Sequence, residues 1–356
     1  MNNIKKIQEK LIEKNLDAVL VTDEKNQRYA TGFPFTDGAV IVARSAAWLI
    51  TDSRYIEAAT NTAACCCNVQ MFDREHSRLS LIQAALKEAG VERLGAEEEK
   101  LSHAEYLGYE KALGMDLLPA QAIFSELRAS KSEEEIGYLR EAQAISEKAL
   151  AEVLRIIKPG MTERQVAAEL VYHMLLNGSE GNSFDPIVIT GKKTSMPHGV
   201  PGDEVIHEGD FVTMDFGCLK HGYCSDMTRT VAVGYATDEM KHVYDTVLKA
   251  QLTAIAATKA GVPGKDIDGT ARKVIADAGY GEYFGHGYGH SLGLEIHENP
   301  SPNASNTEPL PAGVVCSAEP GIYLPGKFGV RIEDVTIITE EGCEDITGSP
   351  KNLIIL

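Results

Sequence analysis

Residues 211–233 read FVTMDFGCLKHGYCSDMTRTVAV, two β-rich runs joined by a polar centre. FVTMDFG and YCSDMTRTV have the β-branched and aromatic content of strands, and the segment between them, FGCLKHGYCS, is centred on Lys220 and His221 with Gly222 alongside. Folded as a hairpin, that arrangement sets Asp215 directly opposite Asp226, with both carboxylates on one face and β-carbons about 5 Å apart. A second stretch repeats the pattern. The midpoint between Glu319 in SAEPGIY and Glu333 in VRIEDVTII is Gly326 of LPGKF, so a second hairpin opposes two glutamates. The two-residue strand period puts Arg331 on the face of Glu333.

Four carboxylates carry the charge to hold two divalent cations, and such a pair makes a bridging hydroxide available near neutral pH. A nitrogen ligand is at hand in residues 285–300, GHGYGHSLGLEIHENP. Its glycines argue against a regular helix despite the four-residue spacing of His286 and His290. The helical zinc-protease pattern also needs a glutamate that is absent here. Flexible backbone instead lets His286, His290 and His297 approach one small volume, which suits one ligand plus outer or substrate-contacting groups. Oxygen-rich ligation with one nitrogen is compatible with manganese, cobalt, iron or zinc, and the dominance of hard carboxylates favours manganese.

The rest of the chain frames this site. A length of 356 residues suits two domains, each with its own core. Residues 1–127 alternate helix and strand: an amphipathic start with Ile4, Ile7, Leu11 and Ile12, then DAVLVT, AVIVA, AAWLIT and CCCNVQMF as strands, and LSLIQAALKEAG as a helix. A polar boundary at LRASKSEEE precedes residues 132–356. There Ser132 with Glu135 forms a capping box, Lys158-Pro159-Gly160 stops the helix, and Thr162 with Gln165 opens the next, which ends near Asn177 and Gly178. Helices around 238–260 and 264–278 make this half α+β, with helices outside a curved antiparallel sheet.

The net charge of −18 argues against nucleic acid or an anionic membrane as partner. The chain start lacks a secretory pattern, and no apolar run reaches the roughly 18 residues of a span. Seven cysteines, an odd number, make no disulfide framework, so the reading is cytoplasmic. Cys65, Cys66 and Cys67 read as small hydrophobes on a strand, and Cys218, His221 and Cys224 as strand and turn residues rather than a zinc site.

At MDFG, SDMTRT, GHGYGH, EPGIY and VRIED the chain resembles the pita-bread metallopeptidase family, the group holding aminopeptidase P, prolidase, methionine aminopeptidase and the metal-free creatinases. The resemblance covers nearly the whole chain. It implies a creatinase-like α/β N-terminal domain followed by a pita-bread catalytic domain. Asp215 would bind one metal, Asp226 and Glu333 would bridge both, and His290 and Glu319 would complete the other. Glu319 would also steer the bridging hydroxide and shuttle its proton. His198 in MPHG would hydrogen-bond the scissile carbonyl and its tetrahedral intermediate, and His286, His297 and Arg331 would contact substrate, His297 and Arg331 near the reacting centre.

GHGYG with His286, EPGIY before VRIED, and the N-terminal region with RYATGF and WLITDSRYIEAA resemble the Xaa-Pro branch, as does the closing SPKNLIIL. The implied activity is hydrolysis of the bond between an N-terminal residue and a following proline by a homodimer. A same-fold aminopeptidase such as methionine aminopeptidase is the alternative. A non-catalytic pita-bread binding protein is disfavoured, because such relatives lose ligands that this chain retains.

Overall fold

Residues 2–356 are described by a computed structural model in which the chain divides after Arg128. The first unit runs α1 (Ile4–Glu13), β1 (Ala18–Val21), α2 (Glu24–Thr31), β2 (Gly38–Ala43), β3 (Ala47–Thr51), α3 (Ile56–Ala63), β4 (Asn68–Met71), α4 (Arg78–Glu88), β5 (Leu94–Ala96), α5 (His103–Leu113), β6 (Leu117–Pro119) and α6 (Gln121–Ala129). Its six strands form one mixed sheet in the order β4-β3-β2-β1-β5-β6. β1 and β2, and β2 and β3, pair antiparallel, while the other three pairings are parallel. The apolar GAVIVA of β2 is buried at every position, as a strand covered on both faces should be. Helix α1 buries Ile4, Ile7 and Leu11 and leaves Ile12 exposed. Cys65, Cys66 and Cys67 are not on a strand. They form the turn that closes α3, and β4 begins only at Asn68. All seven cysteines are free thiols.

The second unit opens with α7 (Glu133–Val153) and α8 (Glu163–Leu176), each started by the expected capping box. Helix α7 ends before Lys158-Pro159-Gly160. Its last turn tightens into Arg155 N–H to Glu152 O and Ile156 N–H to Val153 O bonds, the usual way an α-helix end satisfies its orphan groups. Strands β7 (Gly181–Asn182), β8 (Ile187–Thr190), β9 (Phe211–Phe216), β10 (Cys218–Lys220), β11 (Tyr223–Cys224) and β12 (Met227–Ala232) follow, then helices α9 (Asp238–Ala257) and α10 (Gly264–Asp277). The closing strands are β13 (Val315–Ala318), β14 (Gly321–Leu324), β15 (Phe328–Arg331), β16 (Asp334–Ile338) and β17 (Cys343–Asp345). Every strand pairing in this unit is antiparallel.

Strand parity explains how the site is made. Val212, Met214 and Phe216 of β9, with Met227 and Val231 of β12, join Ala142, Ala149, Val166 and Leu170 of α7 and α8 in one core. Ile322 and Leu324 of β14, with Val330 and Ile332, join Val243, Val247, Ile267 and Ala271 of α9 and α10 in another. Each hairpin therefore turns its apolar face to a helix pair. Its alternate positions, including Asp215, Thr228, Glu319, Arg331 and Glu333, must take the opposite face.

The glutamate hairpin has the expected register: Gly321 pairs with Arg331 and Ala318 with Asp334, which leaves Glu319 opposite Glu333. Pro320 has no N–H to give to the ladder, and the pairing breaks into two pieces at that point. The aspartate hairpin departs from expectation. Asp215 pairs with Thr228 rather than Asp226, because the turn is centred between His221 and Gly222, both left-handed (φ 52° and 76°). This is the two-residue geometry preferred in tight hairpins. Moving the centre by one residue moves the partner by two, a full strand period, so Asp226 stays on the face of Asp215 as a diagonal neighbour. Continuing the same register sets Gly217 opposite Asp226, and a β-carbon at Gly217 would collide with the Ser225 carbonyl.

Arg229, 1% exposed, ties β12 to segments far along the chain. It donates to the carbonyls of Thr228, Glu333, Ser349 and Pro350 and to Asp334 Oδ1 at 2.7 Å. Removing Arg229 leaves Asp334 paired with Lys351 at 2.6 Å but takes a buried charged donor from the carbonyls it serves, so the expected cost is about 1–3 kcal/mol, below that of an isolated buried pair. Arg229→Met should therefore lower stability to urea unfolding by that order. A loss below about 1 kcal/mol would show that these bonds contribute little.

Candidate metal centre

Glu333 anchors the junction of the two hairpins. Its N–H donates to the Thr228 carbonyl at 3.1 Å, and Thr228 Oγ1 donates to its Oε2 at 2.6 Å. Arg331 reaches across the same junction. Nη2 donates to Asp215 Oδ2 at 2.6 Å, Nη1 to Tyr323 Oη at 2.9 Å, and Nε to Thr228 Oγ1 at 3.1 Å. Short backbone contacts bring in His290. Ser317 N–H donates to the His290 carbonyl at 2.8 Å, Glu319 N–H to the Tyr288 carbonyl at 2.9 Å, and a β-carbon on Gly289 would strike the Ser317 carbonyl. The glycine there is what allows the histidine segment to lie against β13.

Ligand atoms of Asp226, His290 and Glu333 lie within 4.8 Å of one another. His290 Nε2 is 3.4 Å from Asp226 Oδ2 and 3.6 Å from Glu319 Oε1. Its Nδ1 faces the Ser291 carbonyl at 3.2 Å, which keeps a proton on Nδ1 and leaves Nε2, aimed at the carboxylates, as the nitrogen that would take a cation in exchange for a proton. Asp215, Asp226, His290, Glu319 and Glu333 line one cavity of about 930 Å³, together with His198, His286, His297 and Arg331. All nine residues singled out in the sequence thus meet in one place.

Electrostatics supply the test of whether a cation fits. Burial, with the neighbouring Asp226 charge, pushes Asp215 up to about 6 against the opposing pull of Arg331. Burial pushes Glu319 up to about 7, although His290 and Arg331 pull the other way. Burial and then Asp226, Glu319 and Asp215 hold Glu333 well above the usual carboxyl range. Burial disfavours a charged His290, but Asp226 and Glu319 outweigh it and raise the imidazole to about 9. Asp215 Oδ1 and Asp226 Oδ1 are buried with no hydrogen-bond partner. Orphaned acceptors, crowded like charges and one imidazole nitrogen aimed at them make a donor set that fits divalent cations once its protons are displaced.

Two further residues differ from a simple substrate-contact role. His286 donates from Nδ1 to the Gly287 carbonyl at 2.9 Å and accepts at Nε2 from Tyr323 Oη at 2.8 Å. Burial, then the charge of Arg331, lowers it to about 4, so it is a neutral acceptor for the tyrosine hydroxyl. Arg331 is held by Asp215, Tyr323, Thr228 and the Pro197 carbonyl. His297 stacks edge-on against His290, ring centres 4.3 Å apart. Sequence reasoning missed Tyr323 and Thr228. Tyr323 was signalled by its glycine neighbours: it pairs with Gly329, and a β-carbon at Gly321 would run into its hydroxyl.

Raised carboxyl values mean that the folded, metal-free protein binds more protons than the unfolded chain between the ordinary carboxyl range, near 4, and about 7. Its stability should fall as pH rises through that window. Cation binding displaces those protons, so it should strengthen over the same window and reverse the slope. Melting temperatures of stripped and manganese-loaded protein at about pH 5 and pH 7.5 measure both signs. Parallel pH trends for the two forms would contradict this electrostatic picture.

The chain matches two family models, metallopeptidase family M24 over residues 137–340 and the creatinase/prolidase N-terminal domain over residues 3–130. It is 35% identical to the Xaa-Pro dipeptidase of Pyrococcus horikoshii, covering 99% of this chain and 98% of that one. Among solved structures it is similar to an Xaa-Pro dipeptidase from Bacillus anthracis, with TM-score 0.95, 41% identity and 99% of both chains covered. It is also similar to an X-Pro aminopeptidase from Thermotoga maritima, with TM-score 0.93, 36% identity and all of both chains covered. With the two matched domains in order and the ligand cluster inside the second, the chain belongs to metallopeptidase family M24.

Proposed function

We propose that this protein is a metal-dependent Xaa-Pro peptidase, hydrolysing the bond between an N-terminal residue and a following proline. The observation that carries the reading is the convergence of Asp226, His290 and Glu333 within 4.8 Å on a cavity that Asp215 and Glu319 also line. Residues 132–356 are the catalytic domain in this reading, and residues 1–127 the creatinase-like N-terminal domain. Asp215, Asp226, His290, Glu319 and Glu333 would hold two divalent cations, with manganese the preferred metal. Cations held there supply Lewis acidity that polarises a peptide carbonyl and acidifies water.

The protein's own groups account for the remaining work. Glu319, whose Oε1 lies 3.6 Å from His290 Nε2 on the cavity wall, can accept a proton from the attacking water and pass it to the leaving nitrogen. Arg331 holds Asp215 ionised and oriented through a 2.6 Å bond. The His198 ring makes no hydrogen bond within the chain among the described residues and lines the cavity, so it is free to donate to the carbonyl oxygen as negative charge develops. His297, beside His290, borders the same space. Proline as leaving group carries no N–H, so preference for it rests on ring shape and the tertiary amide. A homodimer and cytoplasmic residence complete the reading, and they rest on the family resemblance and the free thiols.

Ligands and substrate contacts should separate in a metal assay. His290→Ala and Glu333→Ala are expected to lose bound metal and several orders of magnitude of turnover. His198→Ala and His297→Ala should keep the metal, with His198→Ala losing roughly 10²-fold in kcat as a missing oxyanion donor does. The reverse pattern in metal analysis would show the roles to be wrongly assigned.

Substrate preference is read from a matched series: Ala-Pro, Ala-Pro-Ala and longer Ala-Pro-initiated peptides, each against its counterpart with alanine for proline. The proline series should be cleaved faster. Equal or faster cleavage of the alanine series would refute the assignment and return the question to a same-fold aminopeptidase of other specificity. Hydrolysis of Ala-Pro alone would make the protein a dipeptidase.

A further inference from the structure

His198 sits on an excursion that has little structure of its own. The chain leaves β8 at Thr190, makes a short 3₁₀ turn over Gly191–Ser195, and passes through Met196, Pro197, His198, Gly199, Val200 and Pro201 to Gly202. Val200 and Met196 are 76% and 58% exposed. Since no hydrogen bond among the described residues holds the His198 ring, its position is set by the backbone on either side, where Arg331 Nη1 also donates to the Pro197 carbonyl at 3.3 Å.

Both ends of that backbone meet one carboxylate. Glu163, the first residue of α8, has a side chain with no exposed surface. Its Oε1 accepts the Thr190 N–H at 2.8 Å, where the excursion begins, and its Oε2 accepts the Gly202 N–H at 2.8 Å, where it ends. Lys193 Nζ, from within the excursion, donates to the same Oε2 at 2.6 Å and to Glu204 at 3.0 Å. The α8 backbone adds two more ties, Glu163 N–H to the Glu204 carbonyl and Arg164 N–H to the Gly202 carbonyl, each 3.1 Å. A buried carboxylate at a helix N-terminus, taking two backbone N–H groups and an ammonium, is a charge-assisted clamp with well-defined geometry. An amide in its place would still offer one acceptor but would turn its own donors against at least one of the three N–H groups, with no water to relieve the conflict.

We propose that Glu163 is a positioning residue for His198, closing the 190–202 excursion at its base so that the imidazole is presented to the reacting carbonyl. The inference rests on the substrate-side role given to His198 under the proposed function. Glu163 touches no reacting atom. Its effect passes through the loop, in the way that misplacing a catalytic group by a fraction of an ångström lowers rate without removing the group.

The test is a double-mutant cycle on manganese-loaded enzyme with an Ala-Pro-initiated peptide: wild type, Glu163→Gln, His198→Ala and the double variant. Bound metal, kcat and KM are measured for each. Glu163→Gln should keep its metal, lower kcat about tenfold or more, and show the same split between kcat and KM as His198→Ala. The double variant should be no slower than His198→Ala alone, because a clamp has nothing to position once the imidazole is gone. Multiplying losses in the double variant would overturn the proposal while leaving the role of His198 intact. Full activity in His198→Ala would overturn that role and the proposal with it. Should Glu163→Gln fail to fold, Lys193→Met removes the one partly exposed partner of the clamp and is carried through the same cycle, with the same two outcomes deciding.

Discussion

Crowding of like charge is the constraint around which the catalytic unit is built. Asp215, Asp226, Glu319 and Glu333 cannot all be ionised in a buried cavity unless positive charge stands among them. The chain supplies Arg331 and His290 for part of that task, and the upward shifts of Asp215, Glu319 and Glu333 show how incomplete the neutralisation is. Much of the surrounding architecture serves to keep the groups from moving apart. Two hairpins press apolar faces against separate helix pairs and meet through Thr228 and Glu333, so that relaxation of either carboxylate pair would have to disturb a packed core.

Arg331 occupies a particular place in that balance. Its guanidinium forks between Asp215, Tyr323 and Thr228, and Tyr323 in turn is bonded to a neutral His286. A lysine could match the charge but not the simultaneous geometry. The pair His286 and Tyr323 therefore bears on the centre through Arg331, while both nitrogens of the histidine are engaged by Gly287 and Tyr323.

The carboxylate pairs of the site were legible in the sequence through strand periodicity, whereas His198 was reached only through the family resemblance. Glu319 and Glu333 flank a turn at Gly326 with a left-handed backbone, so counting from the glycine gave the true register. The same counting misplaced the Asp215 partner because two adjacent residues, His221 and Gly222, share the turn, and histidine does not advertise a positive φ. The error cost nothing on the question of faces, since a two-residue shift preserves them. Glu163 stayed hidden for a different reason. It belongs to no local pattern, and its partners lie 27 to 39 residues further along the chain, where single-sequence periodicity carries no information. In the first unit, β-branched runs identified the three antiparallel strands, whereas Cys65 to Cys67 were drawn into a strand by apolar character alone and proved to be the turn after α3. Short strands such as β5 and β6, three residues each, offer too few positions for alternation to register.

The hydrogen bonds of Arg229 join residues 104 to 121 positions apart. Strand β12 carries two of the hairpin faces' key positions, yet it cannot be locked until Glu333, Ser349 and Pro350 have left the ribosome. The first unit, whose sheet is complete by residue 119, can fold well before then. The catalytic unit must wait for closures of long sequence separation, the kind that slow folding most. During synthesis the chain therefore passes through a stage in which a finished first unit is tethered to an open, strand-rich segment. That interval is when the nascent protein most depends on being shielded from its neighbours.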